Sequence, residues 1–155
     1  FWFYMNGSQN LKGIFQWANS LLDTTPMILV NTAGASIKTW VAGAYQHTSG
    51  LTMNAWHHYA VTRTASTNTW EGYIDNVSVF TVNDGGTITD RASAIELYFG
   101  HGYNGYLNGL MDEGAIWNSA LSSTAITEIY NSAAPNDLNN LTNAGDPLVW
   151  YRFGD

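Results

Sequence analysis

The chain has 155 residues, 45% of them apolar and including 7 Trp, 9 Tyr and 6 Phe, which is enough for one core and too short for two. Only 11% are charged, and 12 acidic against 5 basic residues leave a net charge of −7, which argues against nucleic-acid and membrane-surface binding, both of which need clustered cations. With no Cys there are no disulfides, thiol nucleophiles or thiolate metal sites, and no run of about 18 apolar residues could span a bilayer.

The chain begins in strand-like residues with no turn or cap before Phe1, so an upstream segment is expected. From there, short runs of aromatic and β-branched residues recur, each closed by Gly, Asn, Asp or Ser, in the cadence of an all-β sandwich or barrel. Strands are predicted over residues 1–5, 13–17, 27–30, 36–42, 56–64, 69–74, 77–82, 96–99 and 110–117. In Trp56-His57-His58-Tyr59-Ala60-Val61 both alternating sets carry apolar bulk, so this strand is expected to be covered on both faces. Asp75-Asn76 reads as a two-residue hairpin link, since Asn tolerates the positive φ of a tight turn. Residues 120–130 break the strand pattern: Ile126, Ile129 and Tyr130 stand at i, i+3 and i+4 behind Ser122 as N-cap, predicting one short helix. Residues 131–135 end it, 136–145 read as a polar loop, and 147–153 resume as a strand.

Three stretches, in order, resemble the laminin G-like or concanavalin A-like jelly rolls. Trp56-His-His-Tyr-Ala-Val-Thr62, followed by Gly72-Tyr-Ile-Asp75, looks like the family's central strand and hairpin, with Asn76 where a Gly is usual. Tyr106-Leu-Asn-Gly-Leu-Met-Asp-Glu-Gly-Ala-Ile-Trp117 and the helix behind it look like the closing signature. Gly114 stands where Val is usual, which predicts a bend or a close backbone approach. The family's opening strand, with its Phe-Asp-Gly, is absent before residues 1–5, whereas Leu148-Val-Trp-Tyr-Arg-Phe-Gly154 resembles the opening strand of another such module.

The resemblance implies a jelly-roll β-sandwich of two antiparallel sheets with one short helix near the C-terminus. It implies a domain over residues 1–134, followed over 135–155 by a polar loop and a terminal strand that begins a following module or is swapped. The 135–155 segment is also similar to parts of large structural proteins of marine bacteriophages, implying an extracellular or virion-surface location.

Gly100-His-Gly-Tyr-Asn-Gly105 matches GxGxxG, but the residues after it are strand-like, so no helix N-terminus awaits a pyrophosphate and no cofactor is expected. The same loop offers His101, Tyr103 and Asn104 as contact residues; the alternative is an ordinary connection. A sugar packs its C–H face on a flat ring while Asn, Gln or His bonds its hydroxyls. Trp40, Tyr45 and Tyr103 are the aromatic candidates, near Gln46, His47 and Asn104; the alternative places Trp40 in the core and Tyr45 at an interface or the surface.

Glycosidases of the wider superfamily carry Glu-x-Asp-x-x-Glu along one strand, a spacing absent here. Glu71 and Asp75 share a face but stand roughly 13 Å apart along the backbone, too far for a glycosidase pair. Asp112 and Glu113 are expected on opposite faces, Asp112 as a partner for backbone groups, and His57 and His58 likewise point apart, His58 in a structural role. The resemblance brings Ca²⁺ as a candidate ion; Asp84, Asp90 and Asp112 are the acidic candidates, with no ligand set assigned. Three Asn-x-Ser/Thr triplets, at Asn6, Asn76 and Asn140, are about what this composition yields by chance. The expectation is therefore a non-enzymatic surface module for adhesion or glycan recognition. Its alternatives are a structural decoration or fibre domain that contacts neighbouring subunits, homo-oligomeric or in tandem, and, less favoured, a polysaccharide hydrolase.

Overall fold

The computed structural model describes residues 1–18, 28–48, 50–86, 96–102 and 104–154, with Ile28 and His47 described by backbone alone. Met27, Asp90 and Tyr103 lie outside the described residues. In chain order the strands are β1 (Trp2–Met5), β2 (Gln9–Ala18), β3 (Ile28–Gly34), β4 (Ile37–Val41), β5 (Ala44–His47), β6 (Trp56–Thr64), β7 (Thr69–Ile74) and β8 (Val77–Asn83). There follow β9 (Glu96–Phe99), the short β10 (His101–Gly102) and β11 (Gly105–Tyr106), then β12 (Gly109–Asp112), β13 (Gly114–Ile116), helix α1 (Ser123–Tyr130) and β14 (Val149–Tyr151).

These strands make two main sheets, one of five strands in the order β12-β1-β6-β7-β8 and one in the order β10-β11-β2-β3-β4-β5, with β9 also paired to β2. The core lies between them, because each strand turns one of its two alternating sets toward the opposite sheet. Phe3, Met5, Tyr59, Trp70 and Ile74 come from the first sheet, and Ile14, Phe15, Val30, Ile37 and Val41 from the second. This is the jelly-roll β-sandwich expected from the sequence.

Local chemistry explains the connections. Asp75 and Asn76 have φ of 49° and 67°, both left-handed, which turns β7 into β8 with the twist of the flanking strands. The Asp75 carboxylate also lies 2.6 Å from His57 Nδ1 and accepts from the His58 N–H at 2.8 Å, which ties the turn to β6. At α1 the Ser122 hydroxyl accepts from the Ala125 N–H at 3.2 Å, and Asn131 closes the helix with φ 44°.

The helix covers the outer face of the five-stranded sheet. Its Tyr130 ring stacks on Trp2 at 5.8 Å, and Trp2 lies 5.2 Å from the His58 ring. His57 instead packs on Phe3, 5.8 Å away, so the two histidines do point apart. His58 is 1% exposed and its Nδ1 has no hydrogen-bond partner; burial holds its pKa well below the usual histidine value.

Three features depart from the sequence expectation. The strand over 110–117 is broken at Glu113, whose φ of 51° re-aims the chain between β12 and β13. At Gly114 the nearest groups are rings rather than backbone: a Cβ there would lie 2.9 Å from Phe99 Cε1 and 3.0 Å from Phe153 Cε2, so its missing side chain makes room for two rings. Finally, β5 is a strand that the pattern did not announce. The terminal strand narrows to β14 and pairs antiparallel with β13 of the same chain, Ala115 opposite Trp150.

Candidate functional site

On β4 the alternation is strict. Ile37, Thr39 and Val41 are buried toward the core, which leaves Lys38 and Trp40 on the outer face of the seven-stranded sheet. Trp40 is thus half-buried on the outer face rather than in the core. Its cross-strand partners are Tyr45 on β5 and Leu29 on β3. The Trp40 and Tyr45 rings meet edge to face at 5.0 Å, Tyr45 is 39% exposed, and Lys38 Nζ lies 5.6 Å from the Tyr45 ring centre. His47, at the end of β5, is the backbone partner of Lys38.

The glycine-rich loop reaches the same face by a different route. β9 runs along β2 as far as Phe99 opposite Phe15, and Gly100, with φ 68°, turns the chain out of the ladder. The β10–β11 hairpin then settles on the sheet through a glycine-on-glycine contact. A Cβ on Gly13 would fall 2.1 Å from the Gly102 nitrogen, and one on Gly102 would fall 3.3 Å from Gln16 Oε1 and 3.3 Å from Leu29 Cδ1. Leu29 is the partner of Trp40, so the loop and the Trp40–Tyr45 pair share one face. Two strand spacings, about 10 Å, separate β3 from β5.

His101 stacks on Tyr106 with ring centres 3.9 Å apart, and Tyr98 meets His101 edge-on at 6.3 Å. Tyr106 is 71% exposed and Asn104 is exposed beside it, while Tyr103 lies outside the described residues. Sequence reasoning missed Tyr106 and Tyr98 because both were read as strand residues; the signal was that Tyr106 follows the last glycine of the loop. Under this face, Asn31 is fully buried between Gly13 and Lys38, and neither its amide nitrogen nor its oxygen has a hydrogen-bond partner.

The carboxylates are engaged elsewhere. Asp84 accepts from Arg63 Nε at 2.7 Å, Trp70 Nε1 at 2.9 Å and the Gly86 N–H at 2.8 Å, and the Arg63 guanidinium holds its pKa below the usual carboxylate value. Asp112 accepts from the Glu113 N–H at 2.9 Å, the backbone partnership expected of it. Glu71 accepts from Ser78 Oγ at 2.8 Å. Glu113 accepts from the Trp150 indole and lies 3.6 Å from Arg152 Nε. Among the described residues no three His, Asp or Glu side chains converge. No helix of the described residues is long and apolar enough to cross a membrane.

No curated protein matches this chain in sequence. In fold it is similar to a candidate carbohydrate-binding protein from Bacteroides ovatus ATCC 8483, at 14% identity and a TM-score of 0.71, over 97% of this chain and 43% of that one. It is also similar to a native heptameric SAP-like pentraxin from Limulus polyphemus, at 12% identity and a TM-score of 0.67, over 97% of this chain and 76% of that one. The chain thus spans less than half the length of the Bacteroides protein, and both likenesses are of fold. The family model described as the concanavalin A-like lectin/glucanases superfamily matches residues 1–127, and the chain belongs to that superfamily.

Proposed function

We propose that this chain is a non-catalytic glycan-recognition module whose binding surface is the outer face of the seven-stranded sheet. The observation that carries the reading is the Trp40–Tyr45 pair, an aromatic platform beside a loop that presents His101, Asn104 and Tyr106. Flat rings take the C–H face of a sugar, while the loop's imidazole and amide bond hydroxyls. His47 and Tyr103 belong to the same proposed surface by their place in the chain. The commitment of each described candidate carboxylate to a structural partner supports binding without hydrolysis. Calcium is no part of this reading.

The test is a glycan array followed by calorimetric titration of the best ligand. Tyr45→Ala and His101→Ala are each expected to weaken binding roughly three- to tenfold, the equivalent of one aromatic contact, without changing thermal stability. Unchanged affinity in both variants, or release of reducing ends from the ligand, overturns the reading.

A second reading, a contact surface for neighbouring subunits, rests on Tyr151 and Phe153, both exposed and grouped with Phe99 at 5.9 and 5.5 Å. Adhesion at an extracellular or virion surface accommodates either. Sedimentation at rising concentration separates them, since a contact surface yields oligomers that Tyr151→Ser with Phe153→Ser abolishes.

A further inference from the structure

The outer face of the five-stranded sheet is covered in one row of side chains and open in the next. β12, β1 and β6 lie side by side there. Asp112, Trp2 and His58 stand opposite one another in the covered row, where Tyr130 of α1 packs on Trp2 and His58 with ring centres 5.8 and 6.1 Å away. Two residues along each strand, and so on the same face, stand Leu110, Tyr4 and Trp56. Leu110 is 57% exposed and Trp56 44%, with Tyr4 half-buried between them. The Tyr4 and Trp56 rings meet edge to face at 5.9 Å, which holds each against the other. The row spans two strand spacings, about 10 Å.

Beyond it the same three strands are flanked by exposed asparagines, Asn108, Asn6 and Asn54. Asn6 Nδ2 donates to Asn108 Oδ1 at 3.2 Å, and Asn54 Oδ1 accepts from the Gly7 N–H at 2.9 Å. Their backbone is fixed as well. The Asn6 N–H donates to the Asn108 carbonyl at 2.9 Å and the Asn54 N–H to the Met5 carbonyl at 3.2 Å, while the Gln9 side chain bonds both the N–H and the carbonyl of Asn108. Asn6 Oδ1 is left as an acceptor, and Asn54 Nδ2 and Asn108 Nδ2 as donors, with no partner among the described residues. The amides are held in place while part of each stays available.

None of these six side chains is charged, so an anion finds no cation in either row and a cation finds no carboxylate. A protein partner takes about 800 Å² of surface from each side. The apolar strip is one row deep, between the amides and a helix that exposes Ser123, Thr124 and Thr127. A neutral sugar meets both rows: its C–H face packs on a ring, and its hydroxyls, which donate and accept at once, take up the free amide atoms. The strand spacing of about 4.8 Å is close to the length of one pyranose in an extended chain, so successive sugars step from one strand to the next.

We infer that the Leu110–Tyr4–Trp56 row and the asparagines beside it form a second carbohydrate site, which takes a neutral polysaccharide chain lying across β12, β1 and β6. This site is on the opposite sheet from the Trp40 surface and does not rest on it.

The test is NMR titration of the 155-residue chain with cellohexaose, xylohexaose and laminarihexaose, and with hexagalacturonate as the anionic comparison, each to about 10 mM. The signals read are the Trp56 indole N–H and the side-chain amides of Asn54 and Asn108. At least one neutral hexasaccharide is expected to shift all three saturably, with hexagalacturonate at least about tenfold weaker on this acidic chain. Trp56→Ala and Asn108→Ala are each expected to weaken that binding about three- to tenfold. Asn108→Ala, which removes one surface bond to Asn6, carries the comparison if Trp56→Ala lowers the melting temperature. The shifts are expected to persist at unchanged affinity in the double variant Tyr45→Ala with His101→Ala. No shift with any neutral hexasaccharide overturns the proposal, as does unchanged affinity in both single variants or equal affinity for hexagalacturonate. Loss of the shifts in the double variant also overturns it and leaves the seven-stranded sheet as the binding face. Shifts that persist there, while no signal of Tyr45 or His101 moves in the parent chain, remove the first surface and leave this one.

Discussion

Thr39 Oγ1 and the Tyr59 hydroxyl lie 2.6 Å apart in the core, a side-chain hydrogen bond that joins β4 of one sheet to β6 of the other. Both residues are fully buried, and the phenol's pKa is raised far above its usual value by burial. Removing the phenol oxygen strands the threonine hydroxyl in an apolar space. Tyr59→Phe is therefore expected to cost about 1–3 kcal/mol of unfolding free energy. The double variant with Thr39→Val should recover part of that loss, because neither group is then left unpaired; urea denaturation of the four members of the cycle checks both statements.

Gly13 supports the proposed binding surface without belonging to it. A methyl group at this position meets the Gly102 backbone rather than the end of a flexible side chain, so the β10–β11 hairpin must lift. Gly13→Ala is expected to destabilise the fold by about 1–3 kcal/mol and to weaken glycan binding together with it, whereas Gly154→Ala, where a Cβ meets nothing within 4 Å, should leave binding unchanged. Calorimetry and thermal melts on the two variants make the comparison.

Asp84 gives stability a defined acid limb. Its folded pKa is lowered, chiefly by the hydrogen bond from Arg63, so the unfolded chain takes up a proton before the folded one does. The contribution is complete above the unfolded carboxylate value, about 3.9, and is lost as pH falls through the folded value below it. Asp84→Asn should lower stability at neutral pH and flatten the wild-type decline below about pH 4, which denaturant titrations over that range will show.

His58 acts at higher pH. Burial between Trp2 and Tyr130 keeps its ring neutral in the fold, whereas in the unfolded chain it protonates near 6.5. Because the folded pKa is depressed, stability is full above the unfolded value of about 6.5 and declines as pH falls from there toward the folded value. His58→Phe, which also removes the unpartnered Nδ1, is expected to equal or exceed the wild type at pH 5, with a difference that shrinks toward pH 7.5. A crossing in the opposite direction contradicts this assignment.

What the sequence by itself determined was local. The strand over residues 56–64, the Asp75-Asn76 turn, and the Ser122 cap before Ile126 and Ile129 each depend on neighbours a few residues away, and each appears in the structure where the pattern put it. β5 escaped notice because Ala44-Tyr-Gln-His47 is short and follows a turn in which Ala42, an unusual left-handed residue with φ 53°, precedes Gly43. The break at Glu113 was hidden for a similar reason, since only packing against Trp150 and Arg152 shows why that residue leaves the strand.

Tertiary structure alone decided which face of each strand meets the other sheet. Alternation on β4 separates Trp40 and Lys38 from Ile37, Thr39 and Val41 but does not say which set is buried, and only the opposing sheet, with Tyr59 reaching Thr39, puts Trp40 outside. Gly102 likewise came to lie against Leu29, the cross-strand partner of Trp40, through contacts between residues far apart in sequence, Gly13 with Gly102 and Gly102 with Leu29. Such contacts leave no local pattern, because close approach depends on where two distant backbones meet in space.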